Sequence, residues 1–137
     1  LFDTGSGGVA GSVGQAVGDV IKFGGSVTSP GRLYHLTGTG TWSTTRRDIV
    51  GSCTGSLAIA LGTNSTNDGM MIRGMVSCST QFSYSSSIGG PVYIGSSAGK
   101  INNTVSSTSG DIVRAVGHSY GNGVVYFNPD NTFIEVE

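Results

Sequence analysis

Charged residues are scarce in this chain. Asp, Glu, Lys and Arg together make up 11% of its 137 residues, and the net charge is −1, whereas about 25% of an ordinary soluble domain is charged. The seven basic residues are scattered, so the sequence lacks the basic stripe of a nucleic-acid-binding domain. It also lacks an apolar run near the roughly 18 residues of a membrane-spanning helix. We therefore expect neither a nucleic-acid partner nor a membrane span.

Cysteine is almost absent as well. Cys53 and Cys78 are the only two, which is too few for a structural zinc site on their own. A disulfide between them would close a loop of about 25 residues and contribute about 3–4 kcal/mol in the chain-entropy model. Two small buried thiols are the equally weighted alternative. The sequence leaves this choice open.

The sequence contains fragments of catalytic motifs but no complete one. The triplet at Asp3 resembles an aspartic-protease loop, which needs a second carboxylate, and no second triplet occurs. The glycines around Cys53 have the spacing of a nucleophile elbow, but a strand pattern follows instead of a helix. We interpret His35 and His118 as surface or strand residues. We expect Asp68 and Asp130 to lie in turns, where their side chains bond local backbone amides, and we interpret the oxygen-rich segment 128–131 as such a turn rather than a calcium site. We expect no enzymatic activity, no catalytic residues, no metal and no cofactor.

Glycine and short runs of β-branched and aromatic residues dominate what is present. Twenty-four of the 137 residues are glycine, and turn signals separate many short apolar runs, which is typical of all-β domains. We predict an all-β fold, a jelly-roll-like β-sandwich, over residues 18–137. The predicted strands are 19–23, 32–36, 40–44, 57–61, 70–78, 81–84, 91–94, 100–105, 111–118, 124–127 and 132–136.

One strand pattern predicts part of the core directly. In segment 57–61 large and small residues alternate, and successive side chains of a strand point to opposite faces. The large residues therefore share one face and the alanines fill the other. The predicted core comprises Leu57, Ile59, Leu61, Val113 and Phe127.

Residues 1–17 differ from the rest and form a predicted extended arm rich in glycine and serine. Val9, Val13 and Val17 have the same parity, so an extended arm would present one apolar edge. The arm can dock on its own domain or serve as a donor strand for a neighbouring copy. Because the chain starts at Leu1 rather than Met, we expect a processed or partial N-terminus, and we recognise no signal peptide.

Two N-glycosylation sequons begin at Asn64 and Asn102. Both lie in predicted turn or strand-edge positions, and Asn64 is the better acceptor if a glycosylating host exports the chain. Aromatic residues could line a carbohydrate groove, but in strands they more often belong to the core. The serine-flanked loop 81–85 is the better candidate for surface binding.

A set of segments, in this order along the chain, resembles a domain common in virion structural proteins of tailed bacteriophages, especially fibre proteins of aquatic phages. The resemblance covers the chain from about Gly18 to its end and implies a β-rich, non-enzymatic structural module without a defined ligand. The segments that carry it are 18–24, 31–36, 57–62, 68–76, 91–94 and the closing run from Gly110.

The expected function follows from the arm and from this resemblance. We expect a structural subunit of an extracellular or virion fibre that assembles with copies of itself, as a homopolymer or trimer, through strand exchange by its N-terminal arm. The alternative is a receptor-binding tip of a phage tail fibre that recognises a surface glycan.

Overall fold

A computed structural model of the protein describes residues 16–78, 88–121 and 123–137. This part of the chain is all-β, with one short 3-10 helix at Val50–Ser52. None of its helices has the length and apolar character needed to cross a membrane. The strands are β1 (Ala16–Ile21), β2 (Leu33–Leu36), β3 (Trp42–Thr44), β4 (Leu57–Ala60), β5 (Met70–Ser77), β6 (Pro91–Ile94), β7 (Ile101–Asn102), β8 (Ile112–Val113), β9 (Ala115–Gly121), β10 (Val124–Phe127) and β11 (Ile134–Glu135).

Nine of the strands form one curled antiparallel sheet that resembles half of a barrel. Its main path runs β3-β2-β4-β5-β10-β9-β6-β7, and β1 pairs with β5 beside that path. The remaining two strands, β8 and β11, form a separate two-stranded sheet. The prediction of an all-β fold is therefore confirmed.

Strand β5 organises the curled sheet because three strands pair with it. Met71 pairs with Val20 of β1 and with Ile59 of β4, so β1 and β4 lie on opposite edges of β5. Val76 pairs likewise with Ala16 of β1 and with Val125 of β10. One edge of β5 is thus occupied by β1, while β4 and β10 share the other edge and diverge from each other along it.

Two core clusters lie on the two faces of β4, as the alternation in 57–61 predicts. Leu57 and Ile59 belong to the larger cluster, which includes Phe127 of β10. Ala58 and Ala60 belong to the smaller cluster with Tyr34 and Trp42. Leu61 is only partly buried but packs against the larger cluster. The core prediction is confirmed for Leu57, Ile59 and Phe127.

The structure differs from the predicted elements at several boundaries. The predicted strand 111–118 is divided at Arg114 into β8 and β9, because the two parts pair with different partners. Val113 is only half-buried and belongs to neither core cluster. The predicted strand 100–105 ends at Asn102, since the Asn102 side-chain oxygen accepts the amide of Thr104 and forms a turn. The predicted strand 81–84 lies outside the described residues.

Candidate functional site

Strand β1 is the most exposed part of the sheet and the candidate site of assembly. It pairs with β5 along one edge, and no strand of the described chain pairs with its other edge. Five of its six residues are exposed, among them Val17, whose exposed fraction is 54%. Val20 and Ile21 are exposed as well. Strand β1 therefore presents both an open row of backbone groups and apolar side chains.

A pair of glycines brings β1 close to β5. Gly18 and Gly74 are register partners, with φ of 150° and 140°. A Cβ atom added to Gly74 would overlap the carbonyl oxygen of Val17 and come within 2.7 Å of the Gly18 Cα atom. The pairing leaves no room for a side chain at this point, so the two glycines hold β1 to one register on β5.

Side-chain contacts contribute little to the docking of β1. The one ion pair between the two strands joins Asp19 Oδ2 and Arg73 Nε at 3.7 Å, and both side chains are largely exposed. Such an exposed pair contributes at most about 1 kcal/mol. Only Ala16 of β1 packs against the larger core cluster, so backbone pairing contributes most to holding β1 in place.

The structure places one of the three valines of the predicted arm. Val17 lies in β1 and is the register partner of Met75 in the same chain. Val9 and Val13 lie outside the described residues, as does Asp3. Gly18 and Gly74 were not singled out by sequence reasoning, although a glycine inside a strand pattern is the usual signal of a close backbone approach.

The two cysteines are free, buried thiols that belong to the same core cluster. Cys53 Sγ donates to the carbonyl oxygen of Arg46 at 3.0 Å. Burial raises the pKa of Cys53, an effect that the hydrogen bond to Ser52 and the charge of Arg114 partly oppose. Burial raises the pKa of Cys78 to about 12. Both environments are opposite to that of a nucleophilic cysteine, whose pKa is lowered.

We expect these thiols to be unreactive in the folded protein and countable after unfolding. The thiolate is the form that reacts with an aromatic disulfide reagent, and burial disfavours it. In buffer without a reductant, the folded chain should react slowly, and the chain in guanidinium should titrate two thiols. A count of zero after unfolding would show that Cys53 and Cys78 form the disulfide that the sequence leaves open.

The two sequons lie in different environments. Asn64 forms an isolated bridge with Val27 directly before a turn, and its side-chain oxygen accepts the amides of Thr66 and Asn67 at 2.9 and 3.0 Å. Asn102 is buried in β7. Asn64 is thus the more accessible acceptor, and glycosylation at either residue stays a prediction.

The acidic side chains near the predicted turns bond to backbone amides. Asp68 Oδ2 accepts the amides of Thr63 and Asn64, and Asp130 Oδ1 accepts the amide of Thr132. The interpretation of both segments as turns is confirmed. No group of three or more His, Cys, Asp or Glu side chains that could hold a metal occurs in the part of the chain that the structure describes.

Neither His35 nor His118 forms a hydrogen bond with Cys53 in the described part of the chain. His35 lies in β2 and is partly buried, and this burial lowers its pKa. His118 is exposed on β9. His118 lines an open cleft of about 400 Å³ beside the turn formed by Asn128 to Asn131. The loop 81–85 lies outside the described residues.

Arg114, like Gly18 and Gly74, was not singled out by sequence reasoning. It lies between β8 and β9 with an exposed fraction of only 3%. The available signal is a charged residue in the middle of an apolar strand pattern, Ile112-Val113-Arg114-Ala115-Val116. Charged residues are rarely buried without a partner, so this position suggests a specific role.

Comparison of the chain with protein-family models, curated proteins and solved structures found no match in any of the three. The resemblance to phage virion proteins therefore stays a prediction.

Proposed function

We propose that the protein is a non-enzymatic structural subunit of an extracellular or virion fibre, in which copies assemble by exchanging the N-terminal arm and β1. The observation that carries the proposal is the state of β1, which is paired along a single edge, exposed on most of its surface, and attached chiefly by backbone hydrogen bonds. An identical strand from a neighbouring copy fits the same edge of β5 with the same contacts.

The exchange has a physical basis in the register of β1 and β5. A strand that completes the sheet of another copy gains the backbone pairs that it would otherwise make in its own chain. The contact between Gly18 and Gly74 fixes the register in either arrangement, because no other residue of β1 is a glycine.

Cysteine cross-linking between two differently marked chains tests the exchange. Val17 and Met75 are register partners, so chains carrying only Val17→Cys are mixed with chains carrying only Met75→Cys. Refolding the mixture and oxidising it should yield dimers linked between the two kinds of chain. The native cysteines are buried and should remain unreactive in the folded protein.

The matched control uses a strand pair inside the domain. His35 of β2 and Ser43 of β3 are also register partners, and a mixture of His35→Cys chains with Ser43→Cys chains should give no specific dimer. The proposal is wrong if the β1–β5 mixture also gives none, while a single chain with both Val17→Cys and Met75→Cys closes an internal disulfide. Electron micrographs of the linked sample distinguish filaments from trimers.

We propose a jelly-roll-like sandwich as the finer description of the fold. The support is the divergence of β4 and β10 from β5, which sends the two halves of the curled sheet in different directions around the larger core cluster. An experimental structure of the assembled protein tests this arrangement.

A receptor-binding tip that recognises a surface glycan is the second candidate function. The observation that favours it is the open cleft lined by His118, Asn128 and Asp130. Tyr120, two residues along β9 from His118, is also exposed. Exposed aromatic rings and polar side chains around a cleft are suitable for binding sugar rings.

A further inference from the structure

A second cleft opens where β4 and β10 diverge from β5. Its volume is about 360 Å³, which lies in the range of small-molecule sites. Ile72 lines it from β5, at the position between the residues that pair with β4 and those that pair with β10. The rest of its wall includes Gly55, Ser56, Arg114, Pro129 and Asn131.

The Arg114 guanidinium is held rigidly at this cleft. Its Nε donates to the carbonyl oxygen of Asp130 at 2.6 Å, and its Nη1 donates to the carbonyl oxygens of Cys53 and Gly55 at 2.8 and 3.1 Å. These bonds tie together the loop before β4 and the turn after β10. They use three of the five N–H groups that a guanidinium offers.

The two N–H groups of Arg114 Nη2 have no acceptor within the described residues. No carboxylate of this part of the chain forms an ion pair with Arg114 either. Asp130 is the acid whose charge acts on Arg114, and its Oδ1 accepts the amide of Thr132. Since Arg114 lines the cleft and its Nε and Nη1 are bonded to the backbone, Nη2 is the end of the group whose donors remain for a ligand.

A buried guanidinium without a carboxylate is costly. Burial lowers the pKa of Arg114, whereas Cys53 and Asp130 act in the opposite direction. Arginine nevertheless stays charged at neutral pH, and the charge of Asp130 offsets it only in part, because no carboxylate of the described residues forms an ion pair with it. An anion that entered the cleft would supply an ion-pair partner for Arg114 and acceptors for the two N–H groups of Nη2.

We propose that this cleft binds the carboxylate of an acidic sugar, with Arg114 as the anion-binding residue. The single positive charge of Arg114, which forms no ion pair within the described residues, matches a monoanionic carboxylate better than a dianionic phosphate. Ile72 and Pro129 provide an apolar wall for the body of an organic ligand. Asn131 lies at both this cleft and the cleft of His118, so the hydroxyl groups of a sugar bound at Arg114 can reach polar partners.

The inference goes beyond the assembly function and uses no residue of β1. It rests on the second candidate function, glycan recognition, and names the class of ligand that this function would bind. The test must therefore separate the loss of carboxylate recognition from the loss of sugar recognition altogether.

The experiment titrates the isotopically labelled full chain with matched ligands and follows backbone amide and Arg114 Nε–H resonances. D-glucuronate carries the carboxylate, and D-glucose is its neutral counterpart. N-acetylalanine presents a carboxylate without a sugar, and inorganic phosphate presents a different anion. We expect D-glucuronate to shift the resonances of Ser56, Arg114 and Asn131 and to bind at least about tenfold more tightly than D-glucose, as one charged hydrogen bond implies.

Two variants locate the binding. Arg114→Gln should abolish the preference for the carboxylate, but it also removes bonds to three carbonyl groups and can unfold the chain. Ile72→Trp fills the cleft from an exposed position of β5 and should reduce D-glucuronate binding by about tenfold or more. Its control is Val27→Trp, which adds the same ring at an exposed position that lines neither cleft and should leave binding unchanged.

The outcomes are distinct. Equal binding of D-glucose and D-glucuronate overturns the carboxylate inference and leaves sugar recognition standing. If neither sugar binds, both the carboxylate inference and sugar recognition are overturned. N-acetylalanine binding as tight as that of D-glucuronate overturns the assignment to a sugar, and tighter binding of phosphate overturns the assignment to a carboxylate. Undiminished binding by Ile72→Trp places the ligand elsewhere.

Discussion

Phe127→Ala should destabilise the protein by about 3–5 kcal/mol. Phe127 lies in β10 with no exposed surface and is among the largest fully buried side chains of the described residues. It belongs to the larger core cluster, and its removal leaves a cavity where the curled sheet encloses its core. Urea unfolding followed by circular dichroism measures the loss, with an unchanged m-value as the sign that the folded and unfolded states keep their compactness.

The matched control is Phe133→Ala. Phe133 has an exposed fraction of 38% and belongs to neither core cluster, so the same truncation there should cost about 0.5 kcal/mol or less. Equal losses for the two variants would contradict the placement of Phe127 in the core.

Gly74→Ala should destabilise the protein by about 2–6 kcal/mol, the sum of backbone strain and of overlap with β1. The φ of Gly74 is 140°, a conformation that residues with a side chain rarely adopt. The added Cβ would also overlap the Val17 carbonyl oxygen. The expected structural result is release of β1 from β5, which limited proteolysis near residue 18 would detect along with a lower urea midpoint.

The variant Gly110→Ala separates the cost of backbone strain from the cost of overlap with β1. Gly110 has a φ of 88°, but an added Cβ there meets no atom within 4 Å. This variant should therefore show only the backbone strain, about 1–3 kcal/mol, and should leave β1 protected from proteolysis. If Gly74→Ala costs no more than Gly110→Ala, the close contact between β1 and β5 is not what holds the register.

The sequence predicted β4 and its two faces correctly because the relevant signal is local. Alternation with a period of two assigns Leu57 and Ile59 to one face and Ala58 and Ala60 to the other without knowledge of any partner strand. The turns at Asp68 and Asp130 were predictable for the same reason, since an aspartate side chain bonds amides only a few residues away.

The start of β1 was not predicted, because the sequence around it reads as a glycine-rich arm. The predicted strand begins at Asp19, whereas β1 begins at Ala16. Gly18 disfavours a strand locally, but its contact with Gly74 permits a close pairing that no other residue allows. The free energy that stabilises β1 therefore comes from pairing with β5, which lies more than fifty positions away along the chain.

The amino-acid pattern thus determined the all-β class, most strand positions and the residues of β4 that are buried, since each depends on neighbours along the chain. Only the tertiary structure decided that β4 and β10 share one edge of β5, that β1 occupies the other, and that the predicted strand 111–118 divides at Arg114. These features depend on pairing between distant segments. The place of β1 at the edge of the sheet and the cleft at Arg114 follow from that pairing. The sequence therefore predicted an assembly arm that includes Val17, but neither the edge on which it docks nor the cleft.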